Sequence, residues 1–183
     1  MENKNSTTPK TNKFIEENYN IEEEAATASL FTTGNGYIGV RGSFEEYGSL
    51  RIQGAYIRGV IDEVIDVVEP FADNEYMKKY YFDEESLKTF EYTESIINNV
   101  DFLLIRISIN GETFYPWEGK IHSWERYIDM TTATLTRKVR WENSKGDITD
   151  FEFERFSSFD CDHIYCIKVK ITPINHNGKI SVM

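Results

Sequence analysis

An alternation of apolar and polar residues with a period of two constrains this chain more than any other feature of its sequence. It is clearest in four apolar residues of one parity: Leu103, Ile105, Ile107 and Ile109. Arg106 and Ser108 take the other parity, which is typical of a half-buried β-strand. Asn110-Gly111 follows at once, and the extended composition resumes at Thr113. Since Asn-Gly between two such runs is a strong hairpin signal, the sequence predicts a strand from about Asn99 and a hairpin at Asn110-Gly111.

The same pattern recurs twice in the second half of the chain. Leu135, Val139 and Trp141 share one parity ahead of a turn at 144–147, and residues 148–156 resume the extended composition. This predicts a second hairpin. A later strand, ended by Pro173, has four inward-facing residues: Tyr165, Ile167, Val169 and Ile171.

Short strands about ten residues apart, joined by turn residues, are typical of antiparallel sheets packed as a sandwich. The predicted fold class is therefore an all-β, antiparallel β-sandwich. Residues 16–28 favour either a short helix or an extended lead-in, and local propensity does not decide between them. Asn177-Gly178 begins another turn, and because the chain stops at Met183 within the arm that follows, the sandwich is expected to be truncated at its C-terminal end.

Length and charge narrow the classes of partner. A chain of 183 residues fits one domain, and 31 acidic against 20 basic side chains give a net charge of -11. This field disfavours nucleic acid and anionic membranes. Residues 1–13 are polar enough to predict a disordered tail before a domain at 14–183. The first residues lack the apolar core of a secretory signal and no window is long and apolar enough for a membrane span, so we expect a cytoplasmic protein.

The side chains that bind metals or act as nucleophiles show no recognised spacing. Cys161 and Cys166 would point to opposite faces if they shared a strand, so both are predicted to be reduced. His122, His163 and His176 are dispersed, so the sequence predicts neither a metal site nor a cysteine-histidine nucleophile.

The segment 34–39, Gly-Asn-Gly-Tyr-Ile-Gly, matches the spacing of a dinucleotide-binding turn. That turn needs a preceding strand and a helix that starts on it, because the helix N-terminus holds the pyrophosphate. No helix is predicted after Gly39, since Gly42 follows closely. We therefore interpret the segment as a glycine-rich bend in which Gly36 and Gly39 are structural, and we expect no bound cofactor.

Two further groups of residues are candidates for carbohydrate chemistry. Paired carboxylates could cleave a glycosidic bond, and three groups offer them: Glu45-Glu46, Asp83-Glu84-Glu85 and Glu152 with Glu154. Such neighbours are expected on the solvated surface of an acidic protein, so no general acid is assigned. A second group could stack and hydrogen-bond a sugar, although packing at the rim of the sandwich is the favoured interpretation: Tyr115, Trp117, Glu118, Trp124, Arg126, Tyr127 and Asp129.

Six segments, taken in order, resemble the N-terminal domain of glycoside hydrolase family 65, which includes maltose, trehalose and kojibiose phosphorylases. These segments are 29–42, 56–60, 126–130, 135–137, 154–158 and 171–173. The resemblance implies a supersandwich of the galactose mutarotase-like type that precedes an (α/α)6 barrel. In the family, a glutamate of the barrel protonates the leaving oxygen while inorganic phosphate or water attacks with inversion.

Nothing in this sequence corresponds to that barrel, so no catalytic, cofactor-binding or metal-binding residue is assigned, and inorganic phosphate is expected only as a co-substrate of the parent family. The leading hypothesis is a non-catalytic domain or fragment that scaffolds the helical barrel and contributes to a homo-oligomer. The alternative is a free-standing carbohydrate-binding module for α-glucosides. A third hypothesis is that the gene continues beyond Met183 and encodes an active enzyme.

Overall fold

The structure, a computed structural model, describes residues 12–46, 54–65, 92–98 and 101–183. In these ranges nearly all of the regular elements are strands in antiparallel sheets, which confirms the predicted fold class. In chain order the elements are β1 (Lys13–Glu16), a 3-10 turn (Ile21–Glu23), α1 (Glu24–Leu30), β2 (Thr33–Gly34), β3 (Ile38–Val40), β4 (Ala55–Ile57), β5 (Ile61–Ile65), β6 (Tyr92–Ile96), β7 (Ile107–Ile109), β8 (Glu112–Thr113), β9 (Lys120–Asp129), β10 (Thr134–Glu142), β11 (Ile148–Ser157), β12 (Tyr165–Pro173) and β13 (Ile180–Val182).

The largest sheet is antiparallel and has the strand order β1-β9-β10-β11-β12. Strands β9 to β12 follow one another as a meander, because each is joined to the next by a short connection. The turn between β10 and β11 is stabilised by Asn143, whose side-chain oxygen accepts the backbone N–H groups of Lys145 and Asp147 at 2.9 Å. The second predicted hairpin is confirmed.

The other strands of the described residues form three smaller sheets, with the orders β13-β7-β8, β2-β3-β4 and β5-β6. In the β7-β8 hairpin, Asn110 and Gly111 have φ of 53° and 84°. Positive φ at both central residues is the type I′ geometry that asparagine and glycine favour, so the predicted hairpin is confirmed. The strand before it is shorter than predicted and begins at Ile107, because the N–H of Ile105 bonds the carbonyl of Glu45 instead of a neighbouring strand.

The turn at Asn177-Gly178 leads to β13, but β13 does not start a new hairpin with β12. It pairs with β7, about 70 residues earlier, with Ser181 opposite Ser108. Asn110 anchors this connection, since its side-chain oxygen accepts the backbone N–H of Lys179 at 3.0 Å. Local periodicity indicates a strand here but carries no information about such a distant partner.

The core lies between the five-stranded sheet and the β13-β7-β8 sheet. Phe114 is fully buried and stacks on Phe151 with ring centroids 4.0 Å apart, and Trp141 meets it edge-on at 5.4 Å. The Nε1–H of Trp141 donates to the carbonyl of Glu118. Removing a buried phenylalanine ring costs about 3–5 kcal/mol, so Phe114 is a main anchor between the two sheets.

The N-terminal segment closes one side of the core. Strand β1 pairs with the edge of β9 and begins at Lys13, one residue before the predicted start of the domain. Residues 16–28, for which helix and extended chain both remained open, include the start of helix α1, which runs on to Leu30 and whose buried residues are Glu24 and Ala28. The backbone of Gly42 then crosses close to α1, and a Cβ at this position would lie 2.3 Å from the Cβ of Phe31.

Candidate functional site

The inner face of the five-stranded sheet holds a group of charged side chains, which we call the buried charge cluster. It consists of three arginines on adjacent strands and four glutamates from the N-terminal segment: Arg126, Arg137, Arg155, Glu16, Glu24, Glu45 and Glu46. The three arginines are at most 3% exposed. Buried charges require partners, so the geometry of these contacts decides what the cluster can do.

Strand parity places the arginines inside. Arg137 has the parity of Leu135 and Val139, and Arg155 has that of Phe153, so each alternation that predicts an apolar face also carries an arginine. These arginines come from three of the segments that carry the family resemblance. Sequence reasoning missed the cluster because it grouped Arg126 with candidate sugar-binding residues and did not consider the parity of Arg137 and Arg155, which was a usable signal.

Arg126 and Arg137 lie directly opposite each other on β9 and β10. Like charges directly opposite each other destabilise a sheet, so each of the two arginines needs carboxylate partners close by. Arg126 has two such partners. Its Nε donates to Glu16 at 2.7 Å, and its Nη2 donates to Glu24 at 2.9 Å. Trp124 donates its Nε1–H to the same carboxylate of Glu16 at 2.9 Å, which fixes β1 on the sheet.

Arg137 and Arg155 bind the adjacent pair Glu45 and Glu46. The Nη2 of Arg137 lies 2.6 Å from Glu45 and 2.5 Å from Glu46, so both carboxylates share one nitrogen. The Nη1 of Arg155 lies 3.2 Å from Glu45. The guanidinium carbon of Arg137 also lies 4.2 Å from the ring centroid of Phe153, and such a cation-π contact stabilises a desolvated cation.

The two neighbouring carboxyls have opposite pKa shifts. Burial raises the pKa of Glu46, and the negative charge of Glu45 acts in the same direction. Burial acts on Glu45 as well, but the charges of Arg155 and Arg137 outweigh it, so the pKa of Glu45 is lowered. Burial raises the pKa of Glu24 as well, so two of the four carboxyls that face the three guanidinium groups have raised pKa values.

The buried charge cluster is unsuited to acid-base chemistry on a substrate. Glu45 and Glu46 are 2% and 1% exposed, and the space around Arg137 and Arg155 has no room for a water molecule. The expectation that Glu45-Glu46 lies on a solvated surface is wrong, because both side chains are drawn inward by the arginines. The arrangement instead attaches the N-terminal segment to the sheet through buried ion pairs.

The other predicted carboxylate groups do not form a site either. Glu152 and Glu154 are on the outer face of β11, where they pair with Lys138 at 3.5 Å and Lys168 at 2.5 Å. Asp83-Glu84-Glu85 lies outside the described residues. Lysine-paired carboxylates on an open face lack the apolar surroundings that would raise the pKa of a general acid.

The glycine-rich segment is a β-hairpin between β2 and β3. The side-chain oxygen of Asn35 accepts the N–H groups of Tyr37 and Ile38, at 3.0 and 2.8 Å, and Gly36 has φ of 88°. The strand-helix geometry of a dinucleotide-binding turn is therefore absent from this segment. Gly36 is structural as predicted, but Gly39 has an ordinary φ and open space beside it, so the prediction was wrong for Gly39.

The aromatic group proposed for sugar binding is divided between different parts of the domain. Trp124 and Arg126 are buried in the core, whereas Tyr127 and Asp129 have the parity of the outer face. Tyr115 and Trp117 stack on each other in the loop before β9, with centroids 5.2 Å apart. Since its members face in different directions, the group forms no single platform for a sugar ring.

The histidines and cysteines remain apart. His122 lies 2.6 Å from Glu142, His163 packs on the ring of Tyr37, and His176 lies 2.9 Å from the hydroxyl of Thr149. Both cysteines are free, but Cys161 is in the loop before β12, so the premise that they share a strand was wrong. In the described ranges, no three metal-ligating side chains come together. Within those ranges, no helix has the length and apolar character needed to span a membrane.

The outer face of the five-stranded sheet has a groove of about 300 Å³. Its floor and walls are formed mainly by charged residues of three strands: Lys138, Arg140, Asp150, Glu152 and Lys170. Arg140 and Asp150 form a two-point contact across it, at 2.7 and 2.8 Å. The groove is thus occupied by ion pairs between neighbouring strands rather than by unpaired groups aimed at a ligand.

The chain belongs to glycosyl hydrolase family 65, and residues 14–183 match the model of the family's N-terminal domain. The family inferred from the sequence is confirmed.

Individual relatives agree with this assignment. The chain is 60% identical over 162 residues to a 3-O-alpha-D-glucosyl-L-rhamnose phosphorylase of Lachnoclostridium phytofermentans, a match that covers 88% of this chain and 21% of the relative. It is 31% identical to an alpha,alpha-trehalose phosphorylase of Thermoanaerobacter brockii, with 90% and 20% covered. A solved structure provisionally named a kojibiose phosphorylase, from the human microbiome, has a TM-score of 0.76 at 20% identity, covering 96% of this chain and 21% of that one. The chain thus spans about a fifth of the length of these relatives.

Proposed function

We propose that this chain is the non-catalytic N-terminal domain of a family 65 phosphorylase that cleaves α-glucosyl disaccharides with inorganic phosphate, in the cytoplasm. Its role is to scaffold the helical barrel that carries the chemistry in this family and to contribute to a homodimer. The observation that carries the proposal is the burial of Glu45 and Glu46 against Arg137 and Arg155. The neighbouring carboxyls that sequence reasoning considered for glycoside cleavage are thereby committed to holding the domain together.

The named relatives support the reaction class. The 60% identical relative is named for phosphorolysis of a glucosyl-rhamnose disaccharide, and the other relatives are named for trehalose and kojibiose. Each is a glucosyl disaccharide, so we place the parent substrate in this class and favour 3-O-α-D-glucosyl-L-rhamnose among its members. A free-standing carbohydrate-binding module is disfavoured, because the aromatic residues proposed for it do not share a face.

A chimera tests the proposal. In the Lachnoclostridium enzyme, the 162 matched residues are replaced by this chain, and a second protein lacks those residues altogether. We expect the isolated chain and the truncated enzyme to be inactive and the chimera to release glucose 1-phosphate from 3-O-α-D-glucosyl-L-rhamnose. Turnover by the isolated chain would refute the non-catalytic role. Full activity of the truncated enzyme would refute the scaffolding role.

A further inference from the structure

Strand β12 forms one edge of the five-stranded sheet, and the direction of its backbone groups can be read from the hydrogen bonds at its two ends. The N–H of Ile174 donates to the carbonyl of Ile148, and the N–H of Ser158 donates to the carbonyl of Ile164, both at 2.9 Å. The register between these points is constant. Because backbone groups alternate in direction along an antiparallel strand, the even-numbered residues of β12 bond to β11. The odd-numbered residues, 165 to 171, direct their N–H and C=O groups to the open side, and we call these four residues the β12 edge.

The side chains of the β12 edge are apolar and only half covered. Val169 and Ile171 pack against the main core, and Ile167 packs against the smaller cluster of Ile38, Val40 and Leu103. Ile180 of β13 packs against the same main core from the opposite sheet. In the part of the chain that the structure describes, β12 and β13 are therefore edge strands of the two facing sheets and flank one open side of the sandwich.

Charge on the outer face changes sign from strand to strand. On β9 the outward residues include Glu125, and on β10 they include Lys138, which lies opposite it. On β11 they include Glu152, 3.5 Å from Lys138 and 4.0 Å from Lys170 of β12. The outward lysines of β12, Lys168 and Lys170, have side chains 72% and 66% exposed. By the order of the sheet, the next strand would be acidic on this face, since opposite charges on paired strands are stabilising.

We propose that the β12 edge binds an extended polypeptide segment in which apolar residues alternate with acidic ones. The segment comes from the part of a family 65 enzyme outside the fifth that this chain matches, so the inference rests on the proposed function. Its backbone pairs with the N–H and C=O groups of the odd-numbered residues, as in other cases of strand addition. Its apolar side chains cover Ile167 and Val169, and its acidic side chains face Lys168 and Lys170.

Charge complementarity disfavours a second copy of this chain as the occupant. Antiparallel pairing of two β12 strands centred on Val169 would place Lys168 opposite Lys170 of the other copy, twice in one interface. Like charges directly opposite are destabilising, and lysines on an edge strand are a common device against such pairing. An acidic strand meets neither obstacle.

Hydrogen exchange of the β12 amides, residue by residue, tests the proposal. In the isolated chain we expect slow exchange at Lys168 and Lys170, which bond to β11, and fast exchange at Ile167 and Val169. In the chimera described above, exchange at Ile167 and Val169 is expected to slow by about tenfold or more, because each amide gains a partner. Fast exchange there in an active chimera would overturn the inference and leave the proposed function standing. An inactive chimera in which the amides of Ile167 and Val169 are protected would support the inference and contradict the proposed function.

Substitution at the edge provides the second measurement. Val169→Pro removes one edge N–H without removing a bond to β11, and Val169→Ala is the matched control for the lost side chain. In the isolated chain the two variants are expected to have the same melting temperature. In the chimera, the melting temperature of V169P is expected to lie about 4 °C or more below that of V169A. Equal melting of the two chimeras would contradict strand pairing.

A synthetic peptide keeps the proposal testable if the chimera does not fold. The probe alternates valine and glutamate over eight residues, and its control replaces each glutamate by lysine. With the isolated chain, the acidic peptide is expected to slow exchange at Ile167 and Val169 more than the basic one. Equal effects of the two peptides, or protection of the same amides in a dimer of the chain alone, would overturn the inference.

Discussion

Glu45 and Glu46 are adjacent, equally buried and bound to the same nitrogen of Arg137, but they are expected to respond differently to the same substitution. Glu45→Gln removes the negative charge that pairs with both Arg137 and Arg155. Removing one partner of a buried ion pair leaves an uncompensated charge and costs about 3–5 kcal/mol. That is a large part of the stability of a small domain, which is about 5–15 kcal/mol.

Glu46→Gln is expected to change little or to stabilise. The pKa of Glu46 is raised by burial, so the folded domain favours its neutral form, which glutamine imitates. Glutamine keeps an oxygen acceptor for Arg137, and Glu45 still neutralises that arginine. We expect the free energy of unfolding at pH 7 to rise by 0 to about 2 kcal/mol, the range in which a buried charge is replaced without loss of its neighbours' partners.

The pH dependence has opposite signs for the two residues. A carboxyl with a raised folded pKa lowers stability as pH rises from its unfolded pKa, near 4.3, through its folded pKa. The advantage of E46Q over the wild type should therefore disappear as the pH falls toward 4. Glu45 has a lowered pKa, so its contribution is present above the unfolded pKa and is lost as pH falls through the folded pKa.

Urea unfolding followed by tryptophan fluorescence, at pH 7 and at pH 4.5, compares E45Q and E46Q with the wild type, since Trp124 and Trp141 are buried and Trp124 contacts Glu16 and Arg126 of the cluster. Glu152→Gln is the matched control, because Glu152 is on the outer face and pairs at 3.5 and 4.0 Å with Lys138 and Lys170. It should cost less than about 1 kcal/mol. Equal losses for E45Q and E46Q, or a larger loss for E46Q, would refute the opposite pKa shifts of the two residues.

Two further predictions concern the glycine hairpin and association. Gly36→Ala should lower the free energy of unfolding by about 1 kcal/mol, because Gly36 has φ of 88°, whereas Gly39→Ala should stay within about 0.5 kcal/mol of the wild type in the same urea assay. Calorimetric titrations of the wild type and both variants with NAD or FAD are expected to show no binding. The isolated chain is expected to self-associate more as salt rises, because the net charge of -11 is screened while exposed apolar residues such as Phe159, 74% exposed, remain; a monomer by sedimentation at every salt concentration would contradict this.

The strands that periodicity predicts are those whose partners are neighbours in sequence. The hairpins at Asn110-Gly111 and at 144–147 are confirmed because turn chemistry fixes both the reversal and the register. The pairing of β13 with β7 was not predicted, since two three-residue strands about 70 residues apart share no local signal. The strand expected from Asn99 begins only at Ile107, because the N–H of Ile105 bonds the carbonyl of Glu45 instead of a strand of the sheet.

The buried charge cluster shows a different limit. Parity alone would place Arg137 and Arg155 on the inner face, but hydropathy argues against it, and only knowledge of the partners resolves the conflict. Those partners are distant in sequence, with 92 positions between Glu45 and Arg137 and 102 between Glu24 and Arg126. A local pattern can therefore indicate that an arginine faces inward without identifying the carboxylate that permits it.

The distribution of these partners suggests why charge is used in this core at all. All four glutamates belong to the first 46 residues, and all three arginines belong to the central strands of the sheet. An apolar contact would hold the N-terminal segment in many registers, whereas Arg126 can satisfy Glu16 and Glu24 together only when β1 and α1 are both in place. Breaking either ion pair leaves an unpaired buried charge. Such a charge raises the free energy of a misplaced arrangement by more than the intact pairs lower that of the native one. The cluster thus specifies the position of β1 and α1 on the sheet, in a domain whose proposed role is to present fixed surfaces to the rest of an enzyme.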